Sequence, residues 1–447
     1  MKKNEKRKVR LKAMNKTNDE KLFLDLLKEG TSPYHTILFT EGVLKENHFE
    51  PLFMEEKWDL EFGKSYFVEA YGTTVVAFRI PQKKEMVPRD KDANPTIRIM
   101  ASHTDYPNLR IKSNPDMKEK VYAKINTEVY GGAIHSTWLD RPLGVSGRVS
   151  LRGETPFVPK EVYYDSKRPL FIVPSLAIHM DRETNKGKAF NPQTQLIPVG
   201  SLSDDNKGFM EFLAQELEVA KEDILGFELG LYNAEAPEVI GMDLDILSAS
   251  KIDNLSSVAA SLEAMIRKDA PKSLEISAFY DHEEIGSETK QGAKSHLLAD
   301  LLVKIYASLG FSDDDRIRAI YGGMALSVDV AHGYHPNYTD KADLTNQPML
   351  GRGFAIKEAS SQSYTTDSRA IAILKSICDE NKIAYQTYAN RSDIPGGRTL
   401  GAFVSSQLPM LTVDMGVPIL SMHSARECMG IKDYTYIREA MIAFLNA

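Results

Sequence analysis

The chain has 447 residues, 42% of them hydrophobic and 26% charged, an ordinary globular composition with enough length for a large core and two domains. A net charge of −7 speaks against nucleic acid as a partner, and no uninterrupted apolar run reaches the ~18 residues that would make a membrane span. The two cysteines, Cys378 and Cys428, exclude a disulfide framework and thiolate-held zinc, and they fit a reducing cytoplasm.

The N-terminus is basic (Lys2, Lys3, Lys6, Arg7, Lys8, Arg10, Lys12) and lacks the apolar core of a secretory signal, so a solvated tail or helix face is expected there. Asp19 to Lys28, with Leu22, Phe23, Leu24, Leu26 and Leu27, reads as an amphipathic helix stopped by Gly30. Thr31-Ser32-Pro33 opens a second helix ending near Asn47. Tyr66 to Ile80 is strand-like, Pro81 to Pro95 a polar loop or hairpin, and Ile97 to Ala101 a strand running into Ser102-His103-Thr104-Asp105. From Leu109 the texture changes. Ile111, Val121, Tyr122, Val129, Val145, Val149 and Leu151 recur in short runs broken by Gly131-Gly132, Gly144 and Gly147, with a helical pattern only at Asp204 to Ala220. Asp253 to Arg267 is a strong helix carrying Leu255, Val258, Ala259, Leu262 and Ile266, and strand-helix alternation follows. The expected architecture is an α/β domain, residues 1–108 and 248–447, split by a β-rich insert at 109–247.

Glu283-Glu284 follows the apolar run Leu274 to Tyr280, so two adjacent carboxylates stand where a strand leaves a sheet. Carboxylates held that close need a cation or a proton to relieve their repulsion. Four other segments have the same form. His103 follows Ile97 to Ala101, Asp253 opens the helix after Leu247 to Ser250, Asp329 follows Met324 to Val328, and His423 follows Pro418 to Met422. Parallel strands ending side by side would gather these side chains at one sheet edge, and two His with three or four carboxylates suit two borderline-soft divalent ions, with one carboxylate bridging. Each residue alone has an ordinary structural reading. His103 could be a hydrogen-bonded core histidine, Asp253 a helix N-cap, Asp329 a strand-end turn residue, and His423 a cap for a helix starting at Ser424-Ala425-Arg426-Glu427. It is the coincidence of all of them that points to metal. Asp105 is placed to accept from the His103 imidazole or to orient the neighbouring base.

The chain resembles the aspartyl aminopeptidases, within the co-catalytic zinc exopeptidases. The resemblance rests on Ser102 to Pro107, Tyr130-Gly131-Gly132 with Trp138 to Arg141, Leu176 to His179, Ile252-Asp253-Asn254, Asp281 to Ser287, Asp329 to His332 with His335 to Tyr338, and Ser421 to Ser424. It implies a mixed-sheet catalytic domain with helices on both faces, interrupted by a β-rich insert that builds dimers and a dodecamer from them. It implies two zinc ions per subunit, with cobalt or manganese as substitutes. One ion would be held by His103, Asp253 and Asp329, the other by Asp253, Glu284 and His423, with Asp253 the bridge and the Asp253-Asn254 peptide cis. Glu283 would be the general base. His332, Lys357 and His179 would touch the peptide substrate, His179 in a neighbouring subunit's site. Asp281-His282 departs from the Asp-Asn pair of the family, and His282 is expected to be structural. The implied activity is removal of N-terminal Asp or Glu. The rivals are a neutral-residue aminopeptidase or a deacylase on the same scaffold and, from another class, a non-catalytic shell-forming protein. Lys357, after Phe354-Ala355-Ile356, is the residue that would read an acidic side chain.

Overall fold

The computed structural model describes residues 20–447 except 91, 92, 188, 204, 206 and 395, so the basic N-terminal stretch lies outside the described residues. The first helix among the described residues is Lys21–Glu29, closed at Gly30, whose N–H reaches the Leu26 carbonyl at 2.8 Å. The second is Pro33–Glu46, capped by the Ser32 side chain with Pro33 at its first position.

A nine-stranded mixed sheet organises the chain, in the spatial order Glu50–Leu52, Ser65–Ala70, Thr74–Arg79, Leu274–Tyr280, Ile97–His103, Met324–Val328, Leu411–Gly416, Phe354–Glu358 and Tyr385–Ala389. The strands from Leu274–Tyr280 to Leu411–Gly416 run parallel to one another at its centre. Every residue of Leu274–Tyr280, Ile97–His103 and Met324–Val328 is buried, as expected of strands covered on both faces. Successive residues alternate between two cores. Met100 and Phe279 join Leu255, Leu374 and Ile437 from the helices Ile252–Met265, Ser368–Glu380 and Ile431–Asn446. Ile99, Ala101, Ile276 and Ala278 join Leu301, Ile320 and Phe403 from Leu297–Ser308, Asp313–Tyr321 and Gly401–Gln407. Strand pleat thus turns an unbroken apolar run into two packed layers.

A six-stranded antiparallel sheet takes Asn108–Glu119, Tyr122–Tyr130, Leu143–Thr155, Val158–Asp165, Val199–Leu202 and Ile224–Asn233, around a core that includes Leu109, Val145, Trp138 and Leu229. Its helix is Phe209–Glu216, shorter than the pattern at 204–220 suggests: Gly208 at φ 93° precedes it and Glu218 at φ 55° follows. A third sheet joins Glu238–Ile240 and Ile246–Ala249 to Glu427–Gly430, Pro418–Leu420 and Ala331–His332.

Two local expectations change. The run Tyr66 to Ile80 is a hairpin of two strands, because Tyr71 (φ 60°) and Gly72 (φ 81°) both turn left-handed between them. Ser424-Ala425-Arg426-Glu427 is not a helix start: a turn leads into the strand Glu427–Gly430, which pairs on both sides. Among the described residues no helix is long and apolar enough to cross a membrane, and both cysteines are free.

Candidate metal centre

Three parallel strands deliver the first part of the site. Tyr280 pairs in register with His103, and Ser327 with Ala101. His103, the Glu283-Glu284 turn and Asp329 therefore emerge together at the strands' carboxyl ends. Asp253 and His423 arrive from elsewhere: each follows a strand of the five-stranded sheet, Ile246–Ala249 and Pro418–Leu420. One sheet edge does not gather all five ligand positions, as the sequence pattern suggested; two sheets meet to do it.

Asp253 is not a helix cap. It and Asn254 leave the helical range (φ −77°, ψ 106°; φ −122°, ψ 27°), and the peptide between them is cis. Its Oδ1 stands 3.4 Å from His103 Nε2, which is also 3.4 Å from Asp329 Oδ1. Its Oδ2 stands 3.6 Å from His423 Nε2, which is 3.4 Å from Glu284 Oε2. His103, Asp253 and Asp329 form one ligand triad, and Asp253, Glu284 and His423 another, each with its candidate atoms within 4.8 Å of one another.

Ligands at ~2.0–2.1 Å on tetrahedral directions around zinc are themselves ~3.3–3.4 Å apart, so these separations suit a shared cation better than direct hydrogen bonds. Asp253 Oδ1 and Glu284 Oε1 are buried without any hydrogen-bond partner. Both imidazoles are oriented for ligation. His103 Nδ1 lies 3.1 Å from the Asp105 carbonyl and His423 Nδ1 3.2 Å from the Gly132 carbonyl. A carbonyl can only accept, so Nδ1 carries a proton and Nε2 is the nitrogen left to face the cluster, where its lone pair would serve a cation.

The electrostatics agree. Burial pushes the Glu283 carboxyl up to about 8, opposed by His103 and reinforced by Asp329, Asp105 and Asp253. Burial and Asp253 hold Glu284 well above the carboxylate range. His103 is disfavoured as a cation by burial, yet Asp105, Asp253 and Asp329 outweigh that and raise it well above its ordinary value. A cluster that draws protons this strongly is one that divalent cations would neutralise. The residues present, in two groups that share Asp253, fit zinc.

Glu283 belongs to neither triad and lines the same cleft, a cavity of about 520 Å³ that is also lined by His332, Lys357, Tyr364, Arg398 and Met422. Asp105 does not line it. Only 1% exposed, Asp105 accepts the Glu283 N–H on Oδ1 and the Glu284 N–H on Oδ2, both at 3.1 Å, and its Oδ1 lies 3.3 Å from His103 Nδ1. It holds the backbone of Glu283 and of Glu284 together. Lys357 is 1% exposed; Nζ donates to the Val330 carbonyl at 3.1 Å and lies 3.7 Å from Asp329 Oδ2. His282 is in neither triad and meets Thr289 Oγ1 at 2.9 Å. His179 lies apart from the cleft lining, on an exposed turn before the helix at Pro192–Gln195.

Sequence reasoning missed two supports. Glu427, 3% exposed, accepts the His423 N–H at 3.0 Å on Oε1 and the Asp253 N–H at 3.1 Å on Oε2, a second carboxylate that holds the backbone of two ligands. Tyr130, at the end of a six-stranded-sheet strand, donates to Asp105 Oδ2 at 2.6 Å. Beside it, a Cβ on Gly132 would come within 2.9 Å of His423 Nδ1, so only glycine leaves that imidazole its place. The Gly131-Gly132 pair was the available signal, since paired glycines next to a strand also mark close backbone approach.

The family model of the aminopeptidase I zinc metalloproteases (M18) matches residues 26–445. A probable M18 family aminopeptidase 2 of Clostridium novyi is 38% identical over 437 residues, covering 97% of this chain and 99% of that protein. A chain from the complex of Ape4 and Nbr1 superposes with a TM-score of 0.90 at 30% identity, over 97% of this chain and 86% of that one. The S. cerevisiae mApe1 dodecamer shares the fold, with a TM-score of 0.81 at 23% identity and 97% of each chain covered. A match over nearly the whole length, with a ligand cluster fitting zinc at the strand ends, means that this chain belongs to the M18 family of zinc metallo-aminopeptidases, hydrolases that act on peptides.

Proposed function

We propose that this aminopeptidase works with two ions that share Asp253 and that it removes an N-terminal Asp or Glu from peptides. The observation that carries the two-ion reading is Asp253 itself, whose two oxygens face two different imidazoles. When bound, the ions supply Lewis-acid polarisation of the scissile carbonyl and lower the pKa of water toward neutrality. Glu283, in the cleft and outside both triads, takes the proton of the attacking water and delivers it to the leaving amine. Asp105 fixes Glu283 through its backbone N–H, so the base keeps its position while its carboxyl is free to exchange the proton. Cobalt or manganese would suit the same nitrogen and oxygen ligands.

The acidic preference rests on the Lys357 ammonium, a buried cation at the cleft wall beside Tyr364, whose ring centroid is 5.0 Å from Nζ. A charge-assisted contact with a substrate carboxylate in such a place is worth about 1.5–3 kcal/mol, roughly a ten- to hundred-fold preference. Asp- and Glu-terminated peptides are therefore expected to have higher kcat/KM than Leu- or Lys-terminated ones, with Lys357→Ala narrowing the gap. A preference for Leu, unchanged by that substitution, would assign the chain to the neutral-residue reading and leave its metal chemistry in place. His332, in the same cleft, is proposed as a second substrate contact.

We also assign to the β-rich insert, residues 109–247, a role in assembling dimers into a dodecamer, as the dodecameric mApe1 of the same fold supports. His179 sits between Ile178 and Met180, 48% and 76% exposed, apolar surface of the kind a second subunit covers. In that assembly His179 reaches a neighbouring subunit's cleft. Light scattering should give the mass of about twelve chains; an active, monodisperse monomer would remove both the shell and the role of His179 in trans.

A further inference from the structure

A second cation faces the catalytic cleft. Arg398 lines the same cavity as Lys357, is exposed, and holds its guanidinium over the Phe403 ring, 4.5 Å from the centroid. Among the described residues no carboxylate is in ion-pair contact with it. Glu288, which also lines the cleft, pairs with Lys294 at 2.6 Å. Lys357 differs, since its ammonium already faces the Val330 carbonyl and Asp329. The cleft therefore holds one cation in direct contact with protein acceptors and another without a direct ion pair, with Glu288 as the acidic group whose charge reaches it.

The backbone that carries Arg398 is fixed. Thr399, 3% exposed, donates Oγ1 to Asp414 Oδ1 at 2.5 Å. Asp414 Oδ2 accepts the Thr365 N–H at 2.5 Å, and a Cβ on Gly401 would lie 2.7 Å from that same oxygen. Asp414 is also the cross-strand partner of Lys357. One fully buried carboxylate thus gathers the strand of Lys357, the loop of Tyr364 and the segment bearing Arg398 and Phe403 into a single wall. Along it Lys357 is buried and Arg398 stands in solvent reach. A guanidinium held over an aromatic face still has N–H donors free, and those donors can meet a carboxylate bidentately.

We propose that Arg398 is a specificity-determining residue that pairs with the side-chain carboxylate of an acidic N-terminal residue, at the rim of a pocket whose floor is Lys357. This rests on the acidic-residue reading above. The test uses the zinc-loaded, full-length enzyme with Asp-, Glu- and Leu-anilides, which have no leaving-chain carboxylate, and with the matching peptides. Arg398→Ala is expected to lower the acidic-to-Leu ratio of kcat/KM about tenfold on the anilides, through KM rather than kcat. Arg398→Lys should restore part of the ratio, and the KM difference between wild type and Arg398→Ala should shrink at high salt because the contact is exposed. Elemental analysis and circular dichroism of the variants separate this from a disturbed site. A wild-type enzyme that prefers acidic residues with a ratio unchanged in Arg398→Ala overturns the role of Arg398 alone. A wild-type preference for Leu overturns the acidic reading and this inference together. A loss seen on peptides and absent on anilides places Arg398 on the leaving chain's carboxylate and also overturns it.

Discussion

Glu283→Gln is expected to lower kcat by about 10²- to 10⁴-fold while metal content stays at the wild-type level. The amide fills the same space and keeps the backbone N–H bond to Asp105, because that bond uses the main chain. It cannot take a proton from water. Glu283 is in neither ligand triad, so its loss leaves every proposed ligand in place. Its environment also predicts which way the carboxyl responds to metal: burial and three neighbouring carboxylates raise it, and cations bound among those carboxylates would lower it toward a value where it can act as a base. Steady-state kinetics and elemental analysis on one preparation check both halves. Near-wild-type turnover would mean that another group moves the proton.

Asp253→Ala is expected to remove both ions and abolish turnover, whereas His423→Ala should weaken one. Asp253 offers Oδ1 to the triad with His103 and Asp329 and Oδ2 to the triad with Glu284 and His423. With the bridge gone, each triad keeps two protein ligands, and the remaining carboxylates repel without the cations that would neutralise them. The comparison with His423→Ala matters because His423 belongs to a single triad. Metal counts after dialysis separate the cases: near zero for Asp253→Ala and near one for His423→Ala. An Asp253→Ala protein that keeps one ion would mean that the bridge is elsewhere.

Much of this centre was legible in the sequence, for a physical reason. Central strands buried on both faces appear as unbroken apolar runs, so the residue that ends such a run stands at the sheet edge; His103, Asp329 and Glu283-Glu284 follow that rule. Asp253 and His423 also end apolar runs, yet the sequence could not show that their strands belong to another sheet, because a short run carries no label for its partner. Glu427 was hidden by context: four residues after His423, it looks like the first turn of a helix, and only the strand pairing of Glu427–Gly430 turns its carboxylate back to two ligand N–H groups. The β-rich texture from Leu109 matches the strands of the six-stranded sheet, but the grip of Tyr130 and Gly132 on Asp105 and His423 was not legible, because it depends on how two sheets meet. Lys357 was read correctly as following a strand run, and its contact with Asp329 depends on strand order, which a local pattern does not encode.

The central claim is that two ions share Asp253. Anomalous scattering at the zinc edge from crystals of the zinc-loaded protein tests it directly. Two peaks per chain are expected, one among His103, Asp253 and Asp329 and one among Asp253, Glu284 and His423, each about 2.0–2.2 Å from a different oxygen of Asp253. A single peak at full zinc loading, or two peaks with Asp253 bound to only one of them, would contradict it.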